Sequence, residues 1–261
     1  MSGDWTPARG AALDWCHARL REGPAYAEDP EKRGSARAMP IVLHVPRDPR
    51  PARTPLLEAA AGAVARFCLD ERVAPGGPWH EPFAAWLDAP MRKIARRARG
   101  AHWTTAGELP GLERSVSGCA ARALVPGPVD AVDPRLRRLQ IGGTELDRDE
   151  PGPPPPGVPV VWIDARLEMS LGKAAAQVGH GVMLLAAALE RPRLDDWLAA
   201  GLPVAVREAG PGHWAELSAD VVAGAPGVAA VVDAGYTEVA PGSLTVIAAG
   251  AGPVPPDADR T

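Results

Sequence analysis

Residues 159–180, PVVWIDARLEMSLGKAAAQVGH, constrain the fold more than any other stretch of the chain. They read as a buried strand, a short polar loop and a long helix. Gly172-Lys173 places a lysine on the first turn of that helix. Gln177 and His180 follow at i+4 and i+7, so three polar side chains share one stripe. The opposite face carries Ala174, Val178, Val182, Leu185 and Leu189 at helical spacing, a pattern made to lie on a sheet. Ser170 is the expected N-cap, and the helix is expected to end near Arg191-Pro192. A helix start presents unpaired N–H groups and the positive end of the macrodipole. A lysine added there makes a place for a phosphate or a developing oxyanion.

Two familiar motifs are excluded by spacing. A phosphate-binding P-loop needs a glycine five residues before the Gly-Lys pair and a Ser or Thr after it. Those positions hold Leu167 and Ala174. A hydrolase nucleophile elbow needs Gly-x-Ser-x-Gly, which the sequence lacks.

The segment resembles the signature of the type-2 peptidyl-tRNA hydrolases. Leu167, Met169, Gly172, Lys173, Ala175, Ala176, Gln177 and His180 match that family's first motif. A second motif is matched by Asp233-Ala234-Gly235-Tyr236-Thr237, then Pro241-Gly242-Ser243 and Thr245. Trp197 and Gly201-Leu202-Pro203 fit between them, and the resemblance covers about residues 158–252. There are departures. The family's Arg-x-Asp is Asp164-Ala165-Arg166, its first lysine is Leu171, and Tyr236 stands where an arginine is common. The resemblance implies an α/β domain with a mixed four-stranded sheet covered by helices. It also implies hydrolysis of the ester between a peptidyl or N-blocked aminoacyl group and tRNA, with no cofactor.

Lys173, Asp233 and Thr237 are then the expected catalytic residues. Asp233 would take or orient the proton of water, Lys173 would meet the oxyanion or a phosphate, and Thr237 would position either group. Gln177 and His180 are expected to contact substrate. Two other readings stay open: an inactive tRNA-binding module on the same fold, and an esterase or amidase acting on a non-RNA acyl group.

The 261 residues leave room for two modest domains. Residues 147–158 contain Pro151 and the run Pro153-Pro154-Pro155-Pro156, a stiff extended spacer. The expected division is a separate, smaller α+β domain over 1–146, a linker over 147–158, the hydrolase-like domain over 159–252 and a disordered tail over 253–261. In the first part, strands are expected at 39–45 and 121–125. Helices are expected at 54–69, with Thr54 as cap and Pro55 at N1, at 79–87 and at 131–139. In the second part, strands are expected at 203–207, 228–233 and 244–249, with a helix at 212–222. No internal repeat is evident. Cys16, Cys68 and Cys119 have no CxxC spacing and read as reduced core thiols of a cytoplasmic protein. The six histidines do not pair at ligand spacing, so no metal is expected. Neither a signal peptide nor a membrane span is expected. A homodimer is compatible with this reading.

Charge divides the chain. Residues 158–252 hold five basic and ten acidic side chains, a poor balance for a polyanion. Residues 91–122 hold seven basic and two acidic ones. Arg92, Lys93, Arg96 and Arg97 in the run MRKIARRAR are therefore expected to grip tRNA phosphates, with Trp103 behind them as a core or stacking residue. Of the 28 basic residues only Lys32, Lys93 and Lys173 are lysines. Where composition favours arginine, a retained lysine points to a need for a compact ammonium.

Overall fold

The computed structural model describes residues 7–23, 35–143, 145–233 and 238–250. The expected tail and Thr237 lie outside them. Helix α1 (Pro7–Glu22) leads into strand β1 (Arg37–His44), helix α2 (Arg53–Cys68) and helix α3 (His80–Leu87). Strand β2 (Met91–Ala98), helix α4 (Ala101–Gly107) and strands β3 (Gly111–Val116), β4 (Cys119–Leu124) and β5 (Gly127–Pro128) follow, then the short helix α5 (Pro134–Arg137). The second half runs β6 (Val160–Asp164), α6 (Leu171–Ala188), α7 (Arg191–Ala199), β7 (Ala205–Ala209), α8 (Pro211–Val222), β8 (Val228–Val232) and β9 (Leu244–Ala249). The protein is α/β, with a five-stranded N-terminal sheet and a four-stranded C-terminal sheet, both mixed.

The two sheets share one plan. The first has strand order β2-β1-β4-β3, with β5 added to β1, and the second has order β7-β6-β9-β8. In each, the first strand runs parallel to the second and antiparallel to the fourth, and the third and fourth form an antiparallel pair. The likeness reaches single residues. One constant offset in numbering relates Trp86 to Trp197, Arg96 to Arg207, and His102-Trp103 to His213-Trp214. Each of the first two tryptophans donates its indole N–H to a carbonyl six residues on: Trp86 to Arg92 O at 3.0 Å, Trp197 to Pro203 O at 2.8 Å. Arg96 and Arg207 are both buried, on β2 and β7. The chain therefore contains an internal repeat, contrary to the sequence expectation. Two of its matches in the sequence have a visible structural duty, the indole cap of Trp86 and Trp197 and the buried guanidinium of Arg96 and Arg207.

Helices α2 and α6 pack on each other between the two sheets. Each lies on its own sheet and also reaches the edge strand of the other, α6 touching β2 and α2 touching β7. Such a helix is enclosed on most sides, which explains its composition. Ala59, Ala60, Ala61, Gly62 and Ala63 of α2 are all buried, as are Ala174, Ala175, Gly179 and Gly181 of α6. Small side chains let two helices and two sheets approach at core density. The resulting core is continuous from Phe67 and Trp86 to Val182 and Val246. Burying each large apolar side chain contributes roughly 1.5–3 kcal/mol.

Local differences from the sequence reading have physical causes. Thr54 is not the cap of α2. Ala52 holds that position with no side-chain bond. Thr54 instead gives its N–H and hydroxyl to the Asp149 carboxylate, at 3.0 Å and 2.6 Å. A carboxylate from the 147–158 segment thus sits at the positive end of α2. The same segment accepts from the Arg207 guanidinium at Gly152 O and Pro153 O, so it is strapped along the second sheet. The basic run 91–98 is strand β2, and α4 and β3 were not foreseen. The expected helix over 131–139 shortens to α5. Helix α6 ends at Ala188, and Arg191-Pro192 opens α7 instead.

The contact between α2 and α6 is close enough to test. A Cβ at Gly179 would lie 3.0 Å from Val64 Cγ2 and 3.3 Å from Ile41 Cδ1. Gly179→Leu should lower stability by about 1–3 kcal/mol through overpacking, read as a lower Tm, and Val64→Ala in the same chain should recover part of the loss. The shared core carries a second expectation. A fragment of residues 158–261 alone exposes the α2-facing side of α6, and its near-UV circular dichroism should be weak until residues 1–157 are added in trans.

Candidate functional site

Strand β6 ends in Asp164, and a tight loop returns the chain to the start of α6. Asp164 is buried and accepts from the Arg166 backbone N–H at 3.0 Å and from its guanidinium at 2.9 Å and 2.8 Å. Burial pushes this carboxyl up, but the Arg166 hydrogen bonds and charge hold it below its ordinary value. The exchanged Asp-Ala-Arg order thus still closes an ion pair, within the loop itself.

Ser170 caps α6, accepting from Lys173 N at 3.2 Å. Its own N–H and hydroxyl go to the Glu238 carboxylate, at 2.8 Å and 2.7 Å. The carboxylate expected of a ligand at this helix start is supplied by the chain. Leu171, at the place of a family lysine, is buried in the shared core.

Lys173 and Gln177 meet on one carboxylate. Lys173 Nζ lies 2.5 Å from Asp233 Oδ2, and Gln177 Nε2 donates to the same oxygen at 2.7 Å. The Lys173 and Asp233 side chains are each 11% exposed. Asp233 directly follows β8 and is fixed by its backbone, which donates to Ser243 O and accepts from Gly242 N, both at 2.8 Å. Thr245, buried on β9, donates to Gln177 Oε1 at 2.7 Å. That bond forces the Gln177 amide to turn its NH2 toward Asp233. Thr245 was legible in the sequence only as a match to the second motif, with no role in the site. Its sign in the sequence was a polar side chain inside the apolar strand LTVIAA.

Lys173, Gln177 and Asp233 line a cavity of about 590 Å³ along the polar stripe of α6, with Thr245 behind Gln177. The far wall comes from β2 of the N-terminal half: Met91, Arg92, Lys93, Ile94 and Ala95. His180 faces the same cavity, and burial followed by the Lys93 charge pushes its imidazole well below the ordinary value, so it is neutral. Burial lowers the Lys93 ammonium to about 8, against a smaller raising effect of Cys68.

The four basic residues of the run do not form one surface patch. Strand alternation separates them. Arg92 is exposed and Lys93 turns into the cavity. Arg96 is buried and donates to Leu136 O and Leu139 O, both at 3.2 Å. Arg97 donates to Gly143 O and to the Gln140 side chain. Trp103 packs at the edge of a small core, stacked on His44 and covered by Arg122. Thr237 cannot be placed, since it lies outside the described residues.

Among the described residues, the N-terminal repeat shows no equivalent of the Lys173–Asp233 pair. Its β3 and β4 are joined by Ser117-Gly118, both at positive φ, a tight turn where the other half has Asp233 and the chain leading to Ser243. Glu58 of α2 accepts from Arg207 Nη1 at 2.8 Å and from Val206 N at 3.2 Å. Among the described residues, no group of three or more His, Cys, Asp or Glu side chains converges as a metal site. No helix is long and apolar enough to cross a membrane.

Among curated proteins, none matches the chain. The family model described as Peptidyl-tRNA hydrolase PTH2 matches residues 158–257, and this C-terminal part of the chain is a PTH2 family domain.

Proposed function

We propose that the protein hydrolyses the ester bond between a peptidyl or N-blocked aminoacyl group and tRNA. The observation that carries this reading is the chain Thr245–Gln177–Asp233–Lys173, fixed at the wall of a cavity within a PTH2 family domain. Each member orients the next, so the carboxylate and ammonium are in place before substrate arrives. Such preorganisation is where electrostatic catalysis gains most.

The reaction needs one base and one oxyanion partner. Water attacks the ester carbonyl carbon while the Asp233 carboxylate takes its proton. The carbonyl oxygen becomes an oxyanion, which the Lys173 ammonium meets. The tetrahedral intermediate then collapses. The C–O bond to the ribose breaks, the leaving oxygen takes the proton back from Asp233, and free tRNA and a peptide carboxylic acid result, the acid then releasing its proton to solvent as the carboxylate. The strand β2 of the other repeat walls the cavity and brings Arg92 and Lys93 beside it, where a polyanion can be met.

Three expectations follow for turnover of N-acetyl-aminoacyl-tRNA. Asp233→Asn should lower kcat by about 100- to 10,000-fold, the usual worth of a general base. Lys173→Ala should cost about 100- to 1,000-fold, and Lys173→Arg nearly as much, because the planar fork does not replace a compact ammonium. Absence of wild-type turnover on several such substrates would overturn the hydrolase reading, and retained tRNA binding would then favour the binding module.

Thr245 gives an independent check. Thr245→Val keeps the shape of the side chain but frees the Gln177 amide to flip. The loss of one neutral hydrogen bond, worth roughly 0.5–1.5 kcal/mol, should appear as about a 2- to 12-fold lower kcat with Tm little changed. Unchanged kcat would remove Thr245 from the site.

A further inference from the structure

Two of the three lysines in the chain meet in one cavity. Lys32 lies outside the described residues, while Lys93 and Lys173 both line the cavity along α6. They come from different repeats. Lys173 sits on α6 of the PTH2 domain, and Lys93 on β2, the edge strand of the N-terminal repeat that α6 reaches across to touch.

Their surroundings differ. The Lys173 charge is matched by Asp233. Lys93 Nζ donates to the thioether of Met183 at 3.6 Å and lies 4.8 Å from the Trp86 ring centroid. Among the described residues no carboxylate pairs with it. A thioether is a weak acceptor and an indole face a diffuse one, whereas an ammonium offers three donors. With burial holding it near 8, Lys93 is still largely protonated at neutral pH. The neighbouring His180 is neutral and does not compete for an anion.

The cavity wall also carries apolar surface that the reaction does not explain. Ile141 and Val232, 56% and 63% exposed, both line it. Large apolar side chains left open beside an unmatched cation suit a nucleotide, with its flat base and its phosphate. An acidic acyl group would use the cation but not the apolar wall.

We propose that Lys93 anchors a phosphate at the 3′ end of the RNA, with the terminal nucleoside against Ile141 and Val232, so that the N-terminal repeat supplies a substrate-binding residue to the site of the other repeat. This rests on the RNA-substrate reading above.

The test uses the full chain and needs no turnover. Calorimetric titration with adenosine 5′-monophosphate, adenosine and N-acetylglutamate separates phosphate, nucleoside and carboxylate. The wild type should bind the monophosphate at least about ten times more tightly than adenosine, as expected for a charge-assisted hydrogen bond. Lys93→Met should erase that preference and leave adenosine binding unchanged. Lys93→Arg should keep much of it. If Lys93→Met lowers Tm, Lys93→Gln, which keeps a polar side chain of similar reach, must lose the preference all the same. In acyl-tRNA turnover, Lys93→Met should raise KM more than it lowers kcat, the mark of lost uniform binding. A phosphate preference that survives in Lys93→Met, no preference in the wild type, or N-acetylglutamate binding as well as the monophosphate would each overturn the proposal. The hydrolase reading fails separately, on wild-type turnover alone.

Discussion

The packing of α2 on α6 is the contact on which the rest of the molecule depends. A helix held between its own sheet, a second helix and the edge of another sheet has almost no face left for charge. Both helices are accordingly built from alanine, glycine and branched aliphatics. Against that background the polar stripe Lys173, Gln177 and His180 is costly unless its charge is matched and its donors are satisfied. Asp233 matches Lys173 and, with Thr245, satisfies Gln177, and the stripe becomes the wall of a cavity instead of a fault in the core.

How much of this could be read from the sequence depended on how local each signal was. The strand, loop and helix over 159–189 were legible because period, cap and motif agree within a short stretch. Lys173, Gln177 and Asp233 were legible as members of two motifs, and the structure brings them together. Thr245 was legible as a motif position but its role was not, because that role lies in meeting an amide on another element. The repeat was hidden for a different reason. What it preserves is topology, which many apolar sequences satisfy, plus a few side chains with structural duties such as Trp86 and Trp197. In a sequence rich in alanine and arginine those few matches do not stand out. The run 91–98 misled for a related reason. Its charges fall on both faces of a strand, so periodicity could not reveal that Arg96 is buried against carbonyls while Lys93 enters the cavity.

The repeat has diverged unequally, and the divergence is coherent. The half that keeps the loop between β8 and β9 keeps Asp233 at its start. The other half joins β3 to β4 through Ser117-Gly118 and has no carboxylate in that turn. Its α2 carries Glu58, which closes an ion pair with Arg207 instead of facing a cavity. In this arrangement β2 of one half lines the cavity along α6 of the other.

Net charge is a poor guide to how such a site would meet a polyanion. The acidic excess of residues 158–252 suggests repulsion of a polyanion, yet many of those carboxylates are already matched. Asp164 is held by Arg166 and Asp233 by Lys173. Glu208 lies within 3.6 Å of Arg53 and 3.0 Å of Arg148, both outside the PTH2 domain. A carboxylate paired with a guanidinium presents little field beyond its own contact, and salt screens the remainder over about 10 Å. What an approaching phosphate feels is therefore the local balance at the cavity. There Lys93 and Arg92 of one repeat stand opposite a carboxylate of the other that its own lysine already holds. The positive character of the site is thus a property of the joined halves, and the PTH2 domain does not have it alone.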